Sequence, residues 1–78
     1  MPPTKKIVKQ IKELGFVYSH EDKKHTVYKH NKITPPYEGH TYHLERGTNK
    51  FWDFYIKSLT KIVSKSLEEM KADNENDN

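Results

Sequence analysis

The stretch Phe16-Val17-Tyr18-Ser19-His20-Glu21-Asp22-Lys23-Lys24-His25-Thr26-Val27-Tyr28-Lys29-His30 decides the fold. Two runs rich in aromatic and β-branched residues, 16–20 and 25–30, flank a polar Glu21-Asp22-Lys23-Lys24. That is the pattern of two strands joined by a turn, so the two runs should pair as a hairpin. Upstream, Ile7, Val8, Ile11 and Leu14 recur at helical spacing, with Thr4 placed to cap and Gly15 to stop. Lys5, Lys6, Lys9 and Lys12 cover the outer face of that helix. Downstream, Asn31-Lys32 makes a second turn, and two segments then compete for a third strand. Residues 33–37 are extended but contain Pro35 and Pro36, which cannot donate to a ladder, so this strand would be short and at an edge. Residues 40–44 are either loop or the alternative strand.

After Gly47, Thr48 can cap a second helix. Its apolar residues, Phe51, Trp52, Tyr55, Ile56, Leu59, Ile62, Val63, Leu67 and Met70, are spaced three and four apart and form one amphipathic stripe. About five turns span roughly 30 Å, about twice the first helix. Val63, Leu67 and Met70 should therefore overhang the sheet, and an overhanging apolar stripe calls for another chain, such as a second copy in a homodimer. Residues 72–78 contain only Ala, Asp, Asn and Glu, and predict a disordered acidic tail. The expectation is one α+β domain over residues 1–71 with the order α-β-β-β-α. Both helices lie on one face of a small three-stranded antiparallel sheet, an architecture that resembles a double-stranded-RNA-binding domain.

Of the 78 residues, 32% are hydrophobic and 32% charged, so any core is thin. The absence of cysteine excludes disulfides, thiolate-ligated zinc and thiol catalysis. Three scattered glycines exclude a Gly-rich phosphate loop. The short apolar runs exclude a membrane span or signal peptide, which predicts a soluble cytoplasmic protein. The net charge of +3 conceals a split: residues 68–78 carry −4, while residues 1–67 carry 13 Lys and Arg against 6 acids, or +7. A domain that basic suits a polyanionic partner, RNA or DNA.

The pieces Leu14-Gly15-Phe16, then Lys24-His25-Thr26-Val27-Tyr28-Lys29-His30, then Ile33-Thr34-Pro35-Pro36, then Leu44-Glu45-Arg46-Gly47-Thr48 together resemble HicA-type toxins, small RNA-cleaving partners in bacterial toxin–antitoxin pairs. The likeness covers about residues 5–67. It implies an mRNA interferase in which His25 stands at the family's catalytic histidine, held inactive by a HicB-type antitoxin. The chain departs from the family pattern where Lys23-Lys24 replaces Gly-Ser, where Pro35 interrupts the third strand, and in the longer last helix.

Metal-independent RNA cleavage needs a base for the 2′-hydroxyl proton, an acid for the leaving oxygen, and positive charge on the phosphorane-like transition state. Histidine suits the first two roles and lysine the third. If residues 21–24 form the turn, His20 and His25 face each other across the ladder, where opposed Cβ atoms lie about 4.5–5.5 Å apart. The catalytic candidates are thus His25, with His20 as a second group. Lys23, Lys24, Lys29, Lys50, Lys57 and Lys61 are the nucleic-acid contacts, the last two on a ridge with Lys65. His40 and His43 with Glu45, or His20, His25 and His30, are weighed as metal ligands, but neither set has the usual spacing, so neither a metal nor another cofactor is expected. Phe51, Trp52, Tyr55 and Ile56 read as core. Tyr18 or Tyr28 falls on the open sheet face, and Tyr37 and Tyr42 are base-stacking candidates. Two other functions fit the same pattern: a non-catalytic nucleic-acid-binding module, or a small protein-binding inhibitor or assembly factor encoded by a phage or plasmid.

Overall fold

The computed structural model describes residues 4–46 and 50–76, with only the backbone of Thr4 and Asn76. The elements are α1 (Thr4–Glu13), β1 (Phe16–Glu21), β2 (His25–His30), a 3-10 turn (Glu38–His40), β3 (Thr41–Glu45) and α2 (Trp52–Asn76). The strands form one antiparallel sheet in the order β1-β2-β3. This is the expected α+β arrangement with its long C-terminal helix. Among the described residues no helix is long and apolar enough to cross a membrane. The proposed caps at the side chains of Thr4 and Thr48 lie outside the described residues.

The turn from α1 into β1 depends on Gly15. Its φ is +102°, a region open to glycine at no steric cost, and a Cβ there would sit 2.6 Å from Nε2 of His30. That imidazole closes the junction. His30 Nε2 donates to the Leu14 carbonyl at 2.8 Å, while Nδ1 accepts from the backbone N–H groups of Lys32 at 3.0 Å and Ile33 at 3.1 Å. Both ring nitrogens are thus used by backbone, and the bonding fixes the proton on Nε2. Phe16 meets the same ring edge-on, with centroids 5.1 Å apart.

The core joins Ile7 and Ile11 of α1 to Phe16, Tyr28, Ile33 and Leu44, and to Trp52, Leu59 and Val63 of α2. Trp52 is fully buried, and its Nε1 donates to Gln10 Oε1 at 2.6 Å, tying α2 to α1. Along α2 the inward positions are Trp52, Ile56, Leu59, Val63, Ser66 and Met70, alternating four and three. The apolar stripe is therefore narrower than the sequence implied. Phe51 and Tyr55, expected in the core, are exposed, as is Leu67. Nine apolar residues are more than one helix face needs, and the surplus falls on the flank.

Of the two segments that competed for the third strand, the second one forms it. The third strand is Thr41–Glu45, and residues 33–37 form a loop with a cis Pro35–Pro36 bond. Pro35 and Pro36 supply no N–H for a ladder, whereas Thr41 to Glu45 can pair at every position. The loop instead covers the second half of α2. Ile33 packs in the core, the Gly39 N–H donates to the buried Ser66 Oγ at 2.9 Å, and the Tyr37 hydroxyl donates to Asp73. Val63, expected to overhang, is consequently buried. The helix runs on to Asn76.

Candidate functional site

Strand register determines which side chains reach the open face of the sheet. Tyr18 pairs with Tyr28, but His20 pairs with Val27, so a bulge at Ser19 shifts the register. Side chains alternate at a period of two, and one extra residue reverses the face of everything beyond it. The bulge therefore carries His20 to the side opposite Tyr28, away from the helices. On that face His20, Val27 and His43 form one cross-strand row, flanked by the row Val17, Lys29 and Thr41, and by the pair His25 and Glu45. Val27 is buried although it lies outside the main core, with His20 and His43 on either side.

This corrects the expected pair. His20 does not oppose His25. It sits across from Val27, and its Nδ1 is 3.0 Å from Ser19 Oγ. The imidazole beside His25 belongs to His43, with ring centroids 5.9 Å apart and near-perpendicular planes. Asp22 completes the group. Its Oδ1 lies 3.5 Å from His25 Nδ1, and its Oδ2 lies 4.0 Å from His43 Nδ1. The two rings are accessible, His25 at 35% and His43 at 53% of the side chain.

The turn that carries Asp22 is pinned from several sides. Asp22 Oδ1 accepts the backbone N–H of Lys24 at 3.0 Å and of His25 at 2.7 Å, an Asx turn. These two bonds, then the neighbouring His25 and His43, hold the Asp22 carboxyl below its ordinary pKa. Arg46 donates through its backbone N–H to the Lys24 carbonyl and through its guanidinium to the carbonyls of Asp22 and Lys23, while also lying 3.6 Å from Glu21. A shallow concavity is lined by Asp22, Lys23, Lys24 and His25.

The six expected lysine contacts are not brought together. Lys23 and Lys24 are exposed in the turn, and Lys29 is exposed on the open face. Lys57 and Lys61 are exposed on α2, off the stripe that packs into the core, so they lie on the helical side of the domain. Lys50 lies before α2 with its Nζ 5.9 Å from the Phe51 ring centroid. The tyrosine expectations also shift. Tyr18 and Tyr28 are partners on the helical face, Tyr42 packs half-buried against the core, and Tyr37 is bonded to Asp73. The exposed aromatic residues at the start of α2 are Phe51, Phe54 and Tyr55, and Tyr18 is exposed as well. Sequence reasoning missed Asp22 and the pairing of His25 with His43. The available signal was Leu44: once it takes a core position, His43 must point to the other face.

Comparison with known protein-family models, with curated proteins and with solved structures returned no match.

Proposed function

We propose that this chain is a HicA-like RNA-binding protein that cleaves mRNA without a metal in the cytoplasm, using His25 as general acid or base. The observation that carries the reading is the accessible His25–His43 pair beside Asp22 and a lysine-bearing turn. Asp22 orients the Nδ1 side of His25, leaving Nε2 to take the 2′-hydroxyl proton. His43 stands in the place first given to His20, and protonates the leaving oxygen. Lys23 and Lys24 offset the charge that develops on the phosphorane-like transition state. A HicB-type antitoxin would cover this open face.

The test is incubation of end-labelled single-stranded RNA with the protein in EDTA. Cutting is expected, with a loss of about a hundredfold or more in His25→Ala. Intact RNA with the wild-type chain, or equal cutting by the variant, sinks the reading. A non-catalytic RNA-binding module is the second reading. It is favoured by exposed Phe51, Phe54 and Tyr55 beside Lys50 and Lys57, an aromatic and basic surface on which bases can stack. Salt-sensitive binding without cleavage would mark it out.

A further inference from the structure

We infer that Asp22, His25 and His43 form a binding site for one borderline divalent cation of the zinc type. One carboxylate oxygen and one nitrogen from each imidazole all lie within 4.8 Å of one another. Tetrahedral zinc with nitrogen and oxygen ligands at about 2.0–2.2 Å places its donors roughly 3.4 Å apart. His25 Nδ1 lies 3.5 Å from Oδ1 of Asp22 and His43 Nδ1 lies 4.0 Å from its Oδ2, and with one donor atom per residue the three fall within 4.8 Å, so the set closes on one ion by a small ring rotation. The accessible rings have room to make it.

The surrounding structure supports the donors as well as supplying them. Asp22 Oδ1 is held by two backbone N–H groups, leaving Oδ2 turned toward His43. Hydrogen bonding of a ligating carboxylate from behind is the usual outer-shell arrangement of metal sites. Arg46 ties the turn through the Asp22 and Lys23 carbonyls, so the aspartate is fixed before an ion arrives. The positive charges of Lys23, Lys24 and Arg46 are partly offset by Glu21, 3.6 Å from Arg46, and by Glu45, across the ladder from His25. Two imidazoles and a single carboxylate favour zinc over magnesium, which takes oxygen ligands in octahedral geometry. Three protein ligands leave the fourth position to water on the solvent side.

The site uses the same three side chains as the cleavage reading but does not rest on it: a bound ion would occupy imidazoles that metal-free cleavage needs free, and binding is measured without RNA. Metal-free full-length protein is titrated with zinc chloride by calorimetry, and the histidine ring signals are followed by NMR. One ion per chain is expected, with the His25 and His43 rings shifting and the His20 and His30 rings unmoved. His43→Ala and His25→Ala should each weaken binding by at least about tenfold, while His20→Ala should not change it. Magnesium chloride should give no saturable heat. No saturable zinc binding, or binding that persists unchanged in the His25→Ala/His43→Ala double variant, overturns the assignment.

Discussion

Strand β2 begins and ends on a histidine, and the two ends use the same side chain in opposite ways. At the far end His30 is enclosed by Leu14, Lys32 and Ile33, with both nitrogens spent on backbone groups and the ring stacked edge-on against Phe16. At the near end the His25 ring faces a carboxylate and the His43 ring, and about a third of its side chain is open to solvent. The first histidine is part of the frame, and the second is available for chemistry. What separates them is the supply of backbone partners. The α1–β1 junction and the turn after β2 both converge on His30, whereas the hairpin turn satisfies itself through Asp22 and Arg46.

The contrast can be broken most severely at His30. His30→Ala should lower unfolding stability by about 2–3 kcal/mol, since it orphans the Leu14 carbonyl and two N–H groups; urea denaturation followed by circular dichroism reads it. Gly15→Ala attacks the same junction from the backbone. It should cost about 1–2 kcal/mol from the left-handed geometry alone, with an added penalty from the contact with His30, measured as a lowered urea midpoint. His25→Ala and His43→Ala, by contrast, should stay within about 0.5 kcal/mol of the parent in that assay, because both rings are accessible and unenclosed. A large loss from either would erase the distinction.

A finer probe lies between the ends. Burial raises the Tyr28 and Tyr42 phenols above the ordinary 10.0. Their neutral forms are therefore favoured by folding. That contribution is fully present below pH 10 and is lost as pH rises through the folded-state values. The urea midpoint should fall on the alkaline side, and Tyr42→Phe should shallow that fall while leaving the neutral-pH midpoint nearly unchanged.

Much of this architecture is legible in the residues. The hairpin, the stop at Gly15, the long amphipathic helix and the α+β class follow from patterns within a few positions of one another. Those patterns are local, and so are the forces behind them. The third strand was ambiguous because residues 33–37 and 40–44 both read as extended, and the choice rests on ladder bonds that only Thr41–Glu45 can make. The site was half legible. His25 stood out, but its neighbour did not, because the β2–β3 register is non-local and the bulge at Ser19 moves His20 by a whole face. The exposure of Phe51 and Tyr55 was hidden for a related reason, since helical spacing says that residues share a side without saying how wide a side the sheet can cover.

The single tryptophan of the chain is the fully buried Trp52, hydrogen-bonded to Gln10 of α1. Its indole thus sits at the seam between the two helices, shielded from water only while they stay docked. The native molecule carries a built-in fluorophore whose emission colour should report separation of the helices, with no label attached.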